Sequence, residues 1–189
     1  LVSGGTALFV FISGFFFHYV FYKKFDYKKF IYKKSLNVFV PYMVLSLTFI
    51  LAGFVVTTDF PGYESFFNHK VISLYDYFEL VLFYLFMKGS FVGYWYIPFI
   101  MLIFIASPIF IYFIKLNNRT QVFIIALSLA VSMVVQRPEN NLFPFHSFIY
   151  YFSIYLVGIY VSINLEAVMR ILHGKAFFLF FTVIILAVL

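Results

Sequence analysis

Long runs of apolar residues without a charged side chain constrain the fold of this sequence more than any other feature. The first run, Val2–Tyr22, contains no aspartate, glutamate, lysine or arginine and ends directly before Lys23. About 20 mostly apolar residues are enough for a helix to cross a lipid bilayer. Four further runs have the same character, and a sixth begins near the end of the sequence: Leu36–Thr57, Val92–Ile114, Val122–Gln136, Phe148–Asn164 and Ala176–Leu189. The sequence therefore predicts an all-α fold, a polytopic transmembrane helical bundle with about six membrane helices.

The composition excludes an ordinary soluble domain and several kinds of site. Hydrophobic residues make up 65% of the chain and charged residues 11%, whereas a soluble domain is about half apolar and a quarter charged. The sequence has no cysteine, which excludes disulfides and thiol nucleophiles. The four histidines lack the spacing of metal ligands, so we expect no metal site. The net charge of +6 is typical of membrane proteins too, and we expect membrane lipid rather than nucleic acid as a partner.

Tyr77–Met87 is apolar but short, and it contains Glu79. Such a segment is more often interfacial or re-entrant than spanning. If it does not span, ten of the 13 basic residues lie on the cytoplasmic side, and only Lys70, Lys88 and Arg137 lie outside. If the segment spans, the excess of basic residues on the cytoplasmic side is smaller. The positive-inside rule therefore favours a short helix that does not cross the membrane. The ten are Lys23, Lys24, Lys28, Lys29, Lys33, Lys34, Lys115, Arg119, Arg170 and Lys175.

A tyrosine followed by two lysines occurs three times at a spacing of five residues, beginning at Tyr22, Tyr27 and Tyr32. We predict that Lys23–Ser35 is a cytoplasmic loop at the headgroup boundary. It could orient the protein and bind anionic lipid. It could also bind the phosphates of an anionic cytoplasmic cofactor. The charges alone leave both interpretations open.

Several motifs occur in a characteristic order. Phe9–Phe15 reads FVFISGF, and Phe30–Tyr42, after the basic stretch, reads FIYKKSLNVFVPY. Tyr94–Phe99 reads YWYIPF, and Asn141–Gly158 ends in YLVG. In order and spacing these motifs resemble the acyltransferase-3 family of integral membrane acyltransferases. The resemblance covers nearly the whole chain, and it is closest to members that modify or help export surface polysaccharide, including the poly-N-acetylglucosamine O-acyl type.

The resemblance implies a membrane-embedded acyltransferase that moves an acetyl or succinyl group from acyl-CoA to a hydroxyl of a cell-surface glycan. Acyl-CoA would be a donor substrate, with no permanently bound cofactor, and the location a bacterial cytoplasmic membrane. The family's catalytic histidine is expected before Leu1, so residues 1–189 are expected to be part of one acyltransferase domain truncated at both ends. Two alternatives remain: a polysaccharide export protein without acyl-transfer chemistry, and a scaffold for a partner enzyme.

The family's pair of arginines falls on Lys34 and Asn37, which the resemblance assigns to binding of the acyl-CoA donor. Lys34 keeps the positive charge but lacks the planar guanidinium fork, and Asn37 offers only neutral donors. The structural alternative is an interfacial lysine followed by an asparagine that caps a helix.

Three further residues are candidates for contact with the glycan. Trp95 is the only tryptophan, and the alternative role for it is an anchor in the aromatic belt of the membrane. We predict that Arg137 and His146 lie in an outer loop between two apolar runs, where the polarity of an ordinary loop also explains them.

Two positions in the first apolar run are also notable. His18 lies near the inner end of the run and is most simply an interfacial histidine, although ionisable groups within a membrane are often functional. Gly14 follows Ser13, and we predict that this small pair allows close packing of two helices.

Overall fold

The computed structural model describes residues 3–56, 73–88, 96–136 and 143–174. These residues form helices, and no strand occurs among them. Four helices are long and apolar enough to cross a membrane: Gly5–Lys24, Tyr27–Val55, Asn118–Val135 and Pro144–Ile163. A bent helix pair over 96–114 would make a fifth. The predicted helical membrane bundle is confirmed for the described residues, and the predicted sixth run, Ala176–Leu189, lies outside them.

The helices are numbered in chain order. Helix α1 is Ser3–Phe16, followed by a π turn over Phe17–Phe21 and a 3₁₀ turn over Tyr22–Lys24. The other helices are α2 Tyr27–Lys34, α3 Val40–Val56, α4 Leu74–Phe83, α5 Tyr96–Ile105, α6 Ser107–Ile114, α7 Asn118–Val135, α8 Pro144–Ile163 and α9 Leu165–Leu172. By their contacts, the described residues form two units. Unit 1 contains the chain up to Phe25, Phe110–Val131 and the chain from Tyr151, and unit 2 contains Asp26–Ile109 and Ser132–Tyr150.

The prediction of a loop over Lys23–Ser35 is wrong for most of that segment. Helix α2 begins directly after Asp26, whose carboxylate accepts a hydrogen bond from the Lys29 backbone N–H at 3.0 Å. This cap satisfies one of the free N–H groups of the first turn. No glycine or proline follows before Pro41, and Phe30 is buried. The helix therefore continues, and the predicted span Leu36–Thr57 is the second part of a longer helix over Tyr27–Val55.

A π turn over Ser35–Phe39 joins α2 to α3. Proline has no backbone N–H, and its ring clashes with the carbonyl four residues earlier. For Pro41 that carbonyl belongs to Asn37. The Val40 N–H donates to the Ser35 carbonyl, five residues back. The wider turn lets the helix pass the proline without ending.

Proline also marks the break between α5 and α6, whose axes differ by 53°. The ring of Pro108 would clash with the carbonyl of Phe104 in a straight helix. Backbone bonding accordingly changes at Ala106: its N–H donates to Leu102, and its carbonyl accepts from Ile109. The apolar run that begins at Val92 was predicted as one span, and in the described residues 96–114 it is a bent pair.

In unit 1, helices α1 and α8 pack closely and run in the same direction. Gly14 lies against the backbone of Tyr155, and Gly158 lies against the backbone of Phe11 and Phe15. The close packing predicted at Gly14 is confirmed. Farther along both helices, His18 contacts Ser162. Later residues of α1 therefore contact later residues of α8, which means that the two helices are parallel.

In unit 2, α4 and the π turn that follows it over Tyr84–Lys88 lie antiparallel to α3. The ring centroids of Phe54 and Tyr77 are 5.3 Å apart, and the Tyr42 hydroxyl donates to the Leu85 carbonyl. The two elements contain ten and five residues, or about 22 Å of helix, whereas the hydrocarbon core is about 30 Å thick. The helical segment described over 74–88 is therefore shorter than a membrane span, and it packs lengthwise along α3.

The remaining helices have clear boundaries. The Asn117 side chain accepts a hydrogen bond from the Thr120 N–H at 2.8 Å and caps α7, which begins four residues before the predicted Val122. Pro144 is the first residue of α8, a position that suits proline because no N–H is needed there. Helix α9 was not predicted. Its half-buried Leu165, Val168 and Leu172 follow the spacing of an amphipathic helix.

Candidate functional site

Lys34 lies half-buried at the end of α2, with its ammonium group over two aromatic rings. Its Nζ atom is 4.9 Å from the ring centroid of Phe104 and 5.7 Å from that of Phe30. The two rings meet edge to face, with centroids 5.5 Å apart. A cation over the face of an aromatic ring is attracted by the ring's quadrupole. The side chain is therefore held against α5 within unit 2 instead of extending freely into solvent.

Asn37, the second residue that the resemblance assigns to the donor, lies in the π turn and is exposed. It lies inside a continuous helix and caps neither end, so the alternative of a helix-capping asparagine is wrong. Positions three apart on a helix are neighbours on its surface. Lys34 and Asn37 thus lie about one turn apart on one helix.

The start of α2 is strongly basic. Lys28, Lys29 and Lys33 are exposed, and we refer to these three residues as the lysine surface. Lys29 also lies 3.8 Å from Asp26, but an exposed ion pair contributes little to stability because water and salt screen it. The lysine surface can therefore exchange this contact for an external anion at low cost.

An apolar cavity of about 540 Å³, open on one side, lies along α2, its π turn and α5, and its lining residues Ile105 and Phe145 are more than half exposed. Ile31, Ser35 and Phe39 contribute the first wall. The second wall comes from α5, through Pro98, Met101, Leu102 and Ile105, and Phe86 and Phe143–Phe145 complete the lining. Ser35 carries the one hydroxyl among these residues. The cavity thus offers a hydrocarbon environment next to the helix that carries the lysine surface.

Of the residues predicted to contact glycan, His146 is described. Its Nε2 atom donates to the Val135 carbonyl at 3.2 Å, which connects the first turn of α8 to the end of α7. This carbonyl belongs to the last turn of a helix and has no partner within it. The loop predicted for His146 is wrong, because the helix begins at Pro144, and His146 has a structural role that the sequence did not indicate. Trp95 and Arg137 lie outside the described residues.

Unit 1 contains a polar pair that the sequence analysis missed. His18 Nδ1 and Ser162 Oγ are 2.9 Å apart, next to the close contact of α1 and α8. A signal for this pair does exist in the sequence. Gly14 and His18 are four residues apart, and so are Gly158 and Ser162. A small residue lets two helices approach, and a polar residue one turn later can then bond across them.

We expect the loss of this bond to weaken the α1–α8 contact modestly. Hydrogen bonds between membrane helices contribute about 0.6 kcal/mol on average and up to about 1.7 kcal/mol. Ser162→Ala and His18→Phe should each lower the free energy of unfolding by an amount in this range. The measurement is unfolding of the full chain in mixed micelles at increasing SDS content. In the double variant the two losses should not add, and full additivity would show that the two side chains do not interact.

The described part of the chain is a multi-pass helical membrane protein. A family model described as an acyltransferase domain matches residues 1–189. The chain therefore belongs to the acyltransferase-3 family, which makes it a membrane acyltransferase in the general sense. No curated protein and no solved structure matches the chain.

Proposed function

We propose that this protein transfers an acyl group, acetyl or succinyl by its resemblance to the family, from acyl-CoA to a hydroxyl of a cell-surface glycan. The acyl group would leave the thioester sulfur for the hydroxyl oxygen, and coenzyme A would leave as the thiol. The proposed location is the cytoplasmic membrane of a bacterium. Support comes from the family match over residues 1–189 and from the arrangement of lysines on α2.

The position of Lys34 at the end of α2 is the observation that carries this proposal. Coenzyme A presents several negatively charged phosphates, and ammonium groups bind phosphate as compact point charges. Lys28, Lys29 and Lys33 are exposed, while Lys34 is held over Phe30 and Phe104. The lysine surface would collect the donor, and Lys34, with its restricted position, would fix it at the end of α2. Asn37 would add a neutral hydrogen-bond donor one turn later.

The residues proposed to contact the acceptor glycan are spread over more of the chain than those proposed to bind the donor. Trp95 and Arg137 are proposed glycan contacts, and His146 would act from the start of α8, where its ring also connects α8 to α7. Transfer also needs a base for the acceptor hydroxyl. We assign that role to no residue of this chain, and we give the His18–Ser162 pair a packing role.

Binding of coenzyme A to the full chain in phosphatidylcholine nanodiscs tests the donor site. We expect Lys34→Ala to weaken binding at least about tenfold, because a hydrogen bond to a charged group contributes about 1.5–3 kcal/mol. Lys34→Arg, which keeps the charge, should retain most of the affinity. Lys115→Ala is the matched control, since it removes an exposed lysine from the turn after α6 with the same change in net charge.

Transfer of labelled acetyl groups from acetyl-CoA to glycan, in membrane vesicles that contain the protein, tests the reaction itself. An export protein or a scaffold would neither bind coenzyme A nor label glycan. Equal affinity in the Lys34→Ala and Lys115→Ala variants would remove Lys34 from the donor site. Binding without any labelled glycan would contradict the proposed acceptor class.

A further inference from the structure

We infer that the apolar cavity between α2 and α5 receives the acyl chain of the donor and selects an uncharged hydrocarbon acyl group longer than acetyl. The inference rests on the proposed function, because it assumes an acyl-CoA donor at Lys34. It replaces acetyl and succinyl, which the proposed function takes from the resemblance alone, with another class of acyl group, because the family match specifies none.

The position of the cavity supports this assignment. Its first wall follows one face of the helix from Ile31 to Phe39, eight residues or about 12 Å. At the Ile31 end, Lys28 and Lys34 are each three residues away, or about one turn, along the same helix. On α5, Ile105 lines the cavity, and the preceding Phe104 holds the Lys34 ammonium group. A donor whose phosphates lie on the lysine surface can therefore place its acyl group at this end of the cavity.

The chemistry of the lining identifies the occupant. The ligand that fits has a polyanionic head for the lysines and an uncharged hydrocarbon chain for the cavity, and an acyl-CoA with an alkyl acyl group has both. A succinyl group would bring a carboxylate against Ile31, Leu102 and Phe39, and burying an unpaired charge among apolar side chains is strongly unfavourable. The lysines thus match the anionic head of such a ligand, and the uncharged lining matches its hydrocarbon chain.

The size of the cavity is the third argument. Its volume of about 540 Å³ lies within the usual range for small-molecule pockets, about 300–1,000 Å³. A volume of about 30 Å³ corresponds to one water molecule, so the methyl group of an acetyl donor would leave most of the space empty. Each additional methylene buried there favours binding because apolar surface leaves water.

Competition of acyl-CoA esters against labelled coenzyme A, with the full chain in phosphatidylcholine nanodiscs, tests the inference. Octanoyl-CoA is a suitable probe because it has a flexible hydrocarbon chain and still dissolves in water. We expect it to bind at least about tenfold more tightly than acetyl-CoA and succinyl-CoA, since a single methylene in an apolar pocket already changes specificity by about tenfold or more.

Two variants that fill the cavity, Ser35→Leu and Met101→Phe, should reduce the preference for octanoyl-CoA over acetyl-CoA by about tenfold. Ile109→Phe is the matched control, because Ile109 belongs to unit 2 and is exposed, at 56% of its surface, without lining the cavity. The control should keep the wild-type preference.

The outcomes separate this inference from the proposed function. Binding of acetyl-CoA and octanoyl-CoA with equal affinity, or tight binding of succinyl-CoA, would overturn the role of the cavity and leave the donor site in place. An unchanged preference in both filling variants would do the same. If no form of coenzyme A binds, the proposed function and this inference both fail.

Discussion

Alanine at Gly14 or Gly158 is expected to destabilise the protein strongly, although alanine is the better helix former. A Cβ atom on Gly14 would lie inside van der Waals contact of the Tyr155 carbonyl, and one on Gly158 would collide with the Phe11 carbonyl and lie 2.9 Å from the Phe15 nitrogen. These obstacles are backbone atoms, which cannot rotate away as a side chain can. We expect each substitution to lower the free energy of unfolding by about 2–3 kcal/mol, the upper range for overpacked sites.

Gly5 and Gly53 are the matched controls. Both lie inside helices, in α1 and α3, and a Cβ atom at either position would meet nothing within 4 Å. Alanine there should raise stability by up to about 1 kcal/mol through its helix propensity. Unfolding of the full chain in mixed SDS micelles would measure all four variants. A stability change of the same sign at the contact pair and at the controls would contradict the proposed close packing of α1 and α8.

Tyr42→Ala is expected to have the second large effect. Tyr42 is buried in a cluster with Ile50 and Leu85, and its hydroxyl donates to the Leu85 carbonyl. Removal of a large buried aromatic side chain costs about 3–5 kcal/mol, and here the Leu85 carbonyl would lose its side-chain donor as well. Tyr42→Phe keeps the ring and removes only the hydroxyl, so we expect a smaller loss of about 1–2 kcal/mol.

Hydrogen exchange distinguishes a local effect at Tyr42 from general destabilisation. If the tyrosine holds α4 against α3, amide protection over residues 74–88 should decrease first in both variants. Tyr75→Phe is the control, because Tyr75 lies on α4 and is 70% exposed, and it should change stability by no more than about 0.5 kcal/mol. Uniform loss of protection along the chain would argue against a specific contact between Tyr42 and α4.

Membrane helices were predictable because insertion depends on composition. Each apolar side chain favours the bilayer and a central charge opposes it, so the charge-free runs that lie in the described residues correspond to helices. The same reasoning failed for Lys23–Ser35. Lysine opposes burial in lipid but not helix formation, and once Asp26 caps the first turn, with Phe30 packed inward, residues from Tyr27 onward continue the helix.

Local backbone features were only partly predictable. Pro41 and Pro108 signal a disturbed helix, but the same residue type produced a π turn before α3 and a bend of 53° between α5 and α6. The residue type is the same at both positions, so it does not by itself decide between the two outcomes.

The candidate site was also predictable in part. The family pattern selected Lys34 and Asn37 from the sequence because residue type and order were sufficient. Nothing in the order of residues indicated that Phe104, 70 positions away, would lie under the Lys34 ammonium group, or that α2 and α5 would line an open apolar cavity. His146 and His18 likewise acquired partners, Val135 and Ser162, on other helices.

The sequence by itself determined that this chain enters a membrane as several helices, that its basic residues are concentrated at certain helix ends, and that it belongs to a family of acyltransferases. These properties depend on composition, periodicity and the order of motifs along one chain. The tertiary structure alone decided which glycines meet a facing backbone, which polar side chains pair, and where space for a ligand remains. Those outcomes depend on atoms that are far apart in the sequence and come together only when the helices pack.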